Sequence, residues 1–349
     1  MVSSKVALIT GITGQDAAYL AQFLLKKKYR VYGTFRRTST PNFWRLSHLG
    51  IEDKVDFIPA DLIDNPSLVD ALKTSQADEV YHLAAQSYVG SSFDQPISSG
   101  EFTGLGVTRI LESIRLINPK IKFYQASSSE IYGMTNGQQN EETAFRPRSP
   151  YAAAKLYGYW MTKMYREAYG MFATNGILFN HESPLRGLEF VTRKITNAVA
   201  RIKLGLQPEL KLGNLHAKRD WGFAEEYVEG MWRILQLKKP DDFVLSTDES
   251  HSVQEFVEEA FGCVNLKWKK FVKSEKKFYR MLEVDELMGD SSKARKQIKW
   301  KPKVKFKELV QIMVDADLDR WNRWQKGEKF PWDAPNYPNE EKTLFRIPK

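Results

Sequence analysis

Over the first half of the chain, short apolar runs alternate with longer amphipathic stretches. Residues 5–10, 30–35, 55–60, 79–83, 122–126 and 176–179 are rich in Val, Ile, Phe and Tyr and are bounded by polar or glycine-containing segments. Such runs read as strands buried on both faces of a parallel sheet. Between them, after Tyr19, from about Asn65, over 103–116 and after Pro150, apolar positions recur at helical spacing. This alternation predicts an α/β fold with a doubly wound, Rossmann-like parallel sheet and ligands at the strand carboxyl ends. Beyond residue 180 the alternation breaks. Helices are expected over 191–204, up to 236 and up to 261, with short strands at 209–213 and 243–246, the latter rejoining the main sheet. The expected division is a nucleotide-binding domain at 1–179 with a returning segment near 215–262. A smaller α/β substrate domain follows, built from 180–214 and 263–320, and then a Trp/Pro-rich tail at 321–349.

The first strand, first helix and second strand enclose Gly11-Ile-Thr13-Gly14-Gln15-Asp16-Ala17. A glycine turn between strand and helix sets a pyrophosphate on the helix N-terminus, where unpaired N–H groups and the helix dipole favour an anion. The second strand ends on Arg36-Arg37, followed by Thr38 and Ser39, where an acidic residue would select NAD. Arginine there accommodates a 2′-phosphate, so the cofactor expected is NADP; two solvated loop arginines are the alternative. After the third strand, Asp61 and Leu62 stand near the adenine position, although Asp61 equally suits a helix cap. The fourth strand ends in Leu83-Ala84-Ala85-Gln86-Ser87, whose small residues let backbone approach a flat cofactor.

In Ser149-Pro-Tyr-Ala-Ala-Ala-Lys155, Tyr151 and Lys155 lie one helical turn apart on one face. An ammonium beside a phenol favours the phenolate, which can take a proton from an alcohol. Alone, this pair is also the mark of a solvated helix. The fifth strand, however, delivers Ser127-Ser128-Ser-Glu130 to the same crevice, adding a hydroxyl and a carboxylate; a capping box is the structural alternative.

Composition narrows the class. The net charge of +9 comes from lysines spread through amphipathic helices, with no long basic block, so neither nucleic acid nor a membrane is expected as partner. No apolar span approaches the roughly 18 residues of a membrane-crossing helix. One cysteine, Cys263, permits no intrachain disulfide and suits a reducing, cytoplasmic setting. Five scattered histidines without a His-x-x-x-His pair predict no metal.

These stretches, together with Asn180-His181-Glu-Ser-Pro-Leu-Arg186, Val191-Thr-Arg-Lys194, Lys218-Arg219-Asp-Trp-Gly222, Phe278-Tyr-Arg280 and Glu283-Val-Asp285, resemble the GDP-mannose 4,6-dehydratase family of the extended short-chain dehydrogenase/reductase superfamily. The resemblance runs from Lys5 to about Asp319. It implies a GDP-mannose substrate and a cycle on tightly held NADP. Tyr151, aided by Lys155 and Ser128, takes the sugar 4-hydroxyl proton as C4 is oxidised. Glu130 removes the C5 proton and helps expel the 6-hydroxyl as water, and hydride returns to C6. The resemblance also implies that Lys155, His181 and Arg186 surround the cofactor. Ser87, Asn180, Lys194, Gly213, Asn214, Arg219, Arg280 and Glu283 would hold the sugar nucleotide.

The chain departs from the family's pattern at Ser128 (usually Thr), at 97–102, at Met281-Leu282 (usually Pro-Ala) and at Ala17-Ala18 (usually Gly-Ser). The family further implies a homo-oligomer, dimer or tetramer, through the loop 36–45. There Phe43 and Trp44 read either as a contact surface or as intrachain packing. Rival readings are a GDP-sugar reductase or epimerase, which Glu130 argues against, and a non-catalytic NADP-binding or RNA-binding protein.

Overall fold

A run such as Val6–Thr10, apolar on both sides, needs helices over both faces. In the computed structural model, which describes residues 4–39, 42–135, 137–279 and 281–328, it has them. Val6–Thr10 (β1) lies inside a parallel sheet with Arg30–Phe35 (β2), Asp56–Pro59 (β3), Glu79–His82 (β4), Lys122–Ser128 (β5), Ala173–Leu178 (β6) and Phe243–Leu245 (β11). The strand order is β11-β6-β5-β4-β1-β2-β3. Because the order reverses between β1 and β4, the loops after these strands part and open a crevice at their carboxyl ends. Gln15–Lys26 (α1) and Ala224–Leu235 (α9) cover one face, burying Leu20, Leu24, Met231 and Ile234. Asn65–Ser75 (α3), Gly106–Ile117 (α6) and Pro150–Tyr169 (α7) cover the other with Leu72, Ile110, Ile114 and Tyr165. Each fully buried Leu or Ile contributes about 1.5–3 kcal/mol, so these two layers carry much of the fold's stability.

Capping chemistry sets the helix that matters most. Ser149 Oγ accepts from Ala152 N at 3.0 Å, Pro150 occupies the first turn, and Gly170 ends α7 with φ of +66°. The cap of α3 is Asp64, whose carboxylate accepts from Ser67 N, so Asp61 does not serve there.

Two expectations are corrected and one open alternative is decided. The helix expected over 103–116 begins as a π-helical turn, Gly100–Leu105, after two short helices, Val89–Asp94 (α4) and Pro96–Ser99 (α5). Within that turn Thr103 Oγ1 accepts from Gln86 N at 3.2 Å. Phe43 and Trp44 pack within the chain. Trp44 opens Trp44–His48 (α2) and is buried, while Phe43 stacks on Phe57 at 4.5 Å and meets Phe35 edge-on. Trp321 and Trp324 belong to Phe306–Gln325 (α12) and not to a tail. Trp321 Nε1 donates to Asn197 Oδ1 at 2.7 Å. Trp332 and the rest of 329–349 lie outside the described residues.

Val191–Lys203 (α8), Val253–Cys263 (α10) and α12 form a second core around Phe256, Phe261 and Met313. Small strands edge it. Asn180–Glu182 (β7) pairs with Trp221–Phe223 (β10), and Leu210–Leu212 (β8) pairs with Val272–Ser274 (β13). Lys218–Arg219 (β9) lies between His251–Ser252 (β12) and Glu286–Leu287 (β14). Ser292–Gln297 (α11) packs against β11. Among the described residues no helix is long and apolar enough to cross a membrane.

Beneath the crevice, Thr10 Oγ1 accepts from Leu83 N and Ala84 N, both at 3.1 Å, and so gives its own proton to His82 Nδ1 at 2.9 Å. The ring's remaining proton sits on Nε2, buried without a partner among the described residues. Burial, reinforced by the Lys155 charge, pushes His82 down from 6.5 to about 3. As pH falls below 6.5 the unfolded chain takes up this proton while the folded chain refuses it until about 3, so stability declines across that window. Urea unfolding at about pH 7 and about pH 4 is expected to show a smaller acid loss in His82→Asn than in the parent. An equal loss would mean that other groups control acid unfolding.

Candidate active site

β1 runs into Gly11, whose φ is +72° and whose added Cβ would stand 2.9 Å from Ala84 Cα. Both the left-handed backbone and the close approach of the β4 end require glycine. Ile12 N donates to Thr34 O at 2.9 Å, tying the loop to β2. α1 begins on Gly14 with no side chain capping it, so its first-turn N–H groups are available to an anion. This strand–turn–helix fits the pyrophosphate of a dinucleotide.

Gln15 braces the turn from inside. Its Nε2 donates to Asp16 Oδ1 and His181 O, and its Oε1 accepts from Ser183 Oγ at 2.7 Å. Arg45, expected on an outward loop, turns inward. Its Nε donates to Leu185 O at 2.7 Å and its Nη1 to Thr13 O at 2.9 Å, stapling the glycine turn to the segment after β7.

A cavity of about 1000 Å³ opens where the two cores meet. Asp16, Leu83, Ala85 and Ser87 line it from the strand ends; Ser128, Glu130, Tyr151 and Lys155 line it from β5 and α7. Asn180, His181, Arg186 and Lys194 join from β7 to α8, and Gly213, Asn214, Arg219 and Glu283 from the smaller core. Gly11, Thr13, Gly14, Gln15, Ala84 and Gln86 lie along the strand ends beside it. Arg36, Arg37, Thr38 and Ser39 are exposed past β2, and Asp61 and Leu62 follow β3. Arg280 lies outside the described residues.

The reactive groups meet on one wall. Ser128 Oγ accepts from Glu130 N at 3.3 Å, holding the turn Ser129–Ile131 that presents Glu130. The cap is therefore Ser128, and not the Ser127–Glu130 capping box that stood as the structural alternative. Burial pushes the Tyr151 phenol up to about 12; the Ser128 hydroxyl, hydrogen-bonded to it, works against this, and Glu130 adds to it. Lys155 does not deliver the expected phenolate. Its Nζ donates to Ala126 O at 2.7 Å and stands 5.8 Å from the Tyr151 ring centre. Burial pulls Lys155 itself down to about 8, opposed by Asp16. The four-residue spacing therefore brings the pair to one face, but burial outweighs their mutual attraction.

His181 is held as a cation. Nδ1 faces Phe179 O at 2.7 Å and Nε2 faces Asp16 Oδ2 at 2.9 Å, and only the doubly protonated ring satisfies both acceptors. Burial disfavours charge on both partners, yet the pairing holds Asp16 at about 2 and raises His181. The ring stacks on Tyr227 at 4.6 Å.

Arg186 is fixed by two contacts. Its Nε lies 3.1 Å from Glu182, which also accepts from Thr192 Oγ1, and its guanidinium covers Phe190 at 3.6 Å. Behind it, Arg193 is wholly buried. Its Nη1 donates to Pro184 O and Arg186 O, while its Nε donates to Asp317 of α12 at 2.9 Å. Arg219 reaches Val284 O and, at 3.4 Å, Glu283, and Lys194 lies over Phe278. The sequence reading passed over Glu182, and it passed over Arg193 and the inward role of Arg45 because their partners are distant along the chain.

A family model described as GDP-mannose 4,6 dehydratase matches residues 8–313. The chain is 52% identical over 327 residues to GDP-mannose 4,6 dehydratase 1 of Arabidopsis thaliana, covering 90% of each chain. Among solved structures it is similar to dTDP-glucose 4,6-dehydratase from Bacillus anthracis in complex with NAD. The TM-score is 0.79 at 18% identity, covering 93% of this chain and 100% of that one. It is also similar to RMD from Pseudomonas aeruginosa complexed with NADPH, with a TM-score of 0.75 at 21% identity, covering 91% and 100%. At these identities the two structures speak for the fold alone.

Proposed function

The chain belongs to the GDP-mannose 4,6-dehydratase family, whose reaction removes water from the hexose of GDP-mannose, and we propose that Ser128, Glu130, Tyr151 and Lys155 perform it with bound NADP. What carries this reading is the meeting of the Tyr151 phenol, the Ser128 hydroxyl and the Glu130 carboxylate on one wall of a cavity that the glycine turn borders. Gly11, Thr13, Gly14, Gln15 and Asp16 would hold the pyrophosphate. Arg36, Arg37, Thr38 and Ser39 would hold the 2′-phosphate, and Asp61 and Leu62 the adenine. Leu83 to Ser87, Lys155, His181 and Arg186 would frame the nicotinamide end. When bound, NADP would supply the hydride acceptor for C4 and the hydride donor for C6.

Tyr151 removes the 4-hydroxyl proton, with the Ser128 hydroxyl bonding the same oxygen. The C4 ketone acidifies C5, and Glu130 takes the C5 proton and passes it to the departing 6-hydroxyl, which leaves as water. The proton later restored to C5 balances the one taken from the 4-hydroxyl, so only water is lost overall. Asn180, Lys194, Gly213, Asn214, Arg219, Arg280 and Glu283 would hold the GDP end. Assembly into a homo-oligomer through 36–45 now rests on the exposed residues 36–39, since Phe43 and Trp44 are committed inside the chain. A cytoplasmic location belongs to the same reading.

The fold is shared by an NAD complex and an NADPH complex, so the arginines after β2 are what favour NADP. In a panel of nucleotide sugars, mass spectrometry is expected to show water loss from GDP-mannose. Calorimetric titration is expected to show tighter binding of NADP than of NAD. Changing Arg36 and Arg37 together to Ala is expected to cost about tenfold in NADP affinity and leave NAD unchanged. Equal parental affinity for the two would refute NADP selection, and unaltered GDP-mannose would refute the activity.

A further inference from the structure

Tyr88 has no role in the reading above, yet it faces the reaction cavity. It follows Ser87, precedes α4, and its half-buried ring lines the cavity. The ring stands edge-on to Phe190 at 5.9 Å and 83°, and Phe190 in turn carries the Arg186 guanidinium. Gly90 explains how the ring gets there. A Cβ on Gly90 would lie 3.0 Å from Tyr88 Cε1 and Cζ and 3.1 Å from its hydroxyl. Gly90 has no left-handed φ, so what this glycine supplies is space. The turn is otherwise fixed, since Ser91 Oγ donates to Tyr88 O at 2.9 Å and accepts from Gln86 Nε2. α4 packs on α7, the helix that carries Tyr151. An aromatic ring is thus held beside Ser87 in the wall of the cavity that Tyr151 also lines.

A hexose presents hydroxyls at its rim and C–H groups on its faces. Ser87, Ser128 and Asn180 suit the rim; an aromatic ring suits a face. We propose that Tyr88, seated over Gly90, is a specificity residue against which the hexose ring packs, so that it favours the sugar nucleotide over the bare nucleotide. This rests on the GDP-mannose reading.

The test compares GDP with GDP-mannose by calorimetric titration of the NADP-loaded protein in a Glu130→Gln background, which prevents water loss during the measurement. Tyr88→Ala and Gly90→Ala are each expected to weaken GDP-mannose about tenfold, with GDP held within about twofold, whereas Tyr88→Phe keeps the parental preference. Gly90→Ala displaces the ring without deleting it, so agreement between the two variants separates ring position from a damaged fold. Thermal unfolding of each variant is measured alongside. Parallel weakening of GDP and GDP-mannose, or an unchanged preference in both variants, overturns the proposal. A parent that prefers another nucleotide sugar overturns the GDP-mannose reading itself, and the Tyr88 proposal with it.

Discussion

Glu130→Gln is expected to lower the rate of water loss from GDP-mannose about a thousandfold while leaving NADP binding intact. The change keeps the side chain's size and removes its ability to hold a proton. The main-chain bond from Glu130 N to Ser128 Oγ, which shapes the turn, is untouched. The residue is only 8% exposed, so bulk water has little access with which to replace it as base. Mass spectrometry checks the elimination, and uptake of deuterium at C5 from heavy water checks the proton transfer separately. In the variant both stop together. Full elimination would assign the base to another group.

Tyr151→Phe is expected to cost a comparable factor, between about a hundredfold and ten-thousandfold, and to change the shape of the pH profile. Burial holds the phenol at about 12, so below that value each unit of pH should favour its deprotonation. Lys155 sets the upper bend. Its folded value is depressed to about 8, so it is a cation below that pH and neutral above it, and the positive charge it brings to the cavity wall is lost on the alkaline side. The parent's kcat should therefore climb through neutral pH and level off or fall above about 8. The residual rate of the Phe variant should be flat. A variant that keeps the rising limb would show that the limb belongs to some other group.

The sheet and the glycine turn were legible because each depends on a local pattern. Apolar runs of strand length, a turn of fixed spacing and an amphipathic helix state which face is buried. The helix phase of Tyr151 and Lys155, and the turn that presents Glu130, were legible for the same reason. What local pattern cannot state is which element covers a buried face. Phe43 and Trp44 were recognisable as aromatics in need of cover, but Phe57, which Phe43 stacks on, lies beyond a helix and a strand start. The Lys155 ammonium was expected on the phenol; the Ala126 carbonyl that receives it comes from a neighbouring strand. Arg193 lay within a recognised motif, but its partner Asp317 is 124 residues away. Tyr88 was hidden for another reason. Its placement depends on an absent side chain at Gly90, and a glycine that supplies space looks the same in sequence as one that supplies a turn.

The Arg193–Asp317 pair makes α12 a structural parent of the Arg186 segment. One guanidinium receives its orientation from α12 and fixes the Pro184 and Arg186 carbonyls. A buried charge left without its partner costs about 3–5 kcal/mol; Asp317 also pairs with Arg320 at 3.0 Å, so it is Arg193 that would be stranded if Asp317 were exchanged alone. The smallest unit that can be moved between homologues with this segment intact is therefore discontinuous: the stretch 184–194 together with the portion of α12 around Asp317. A graft of the loop alone would import an arginine made for someone else's aspartate.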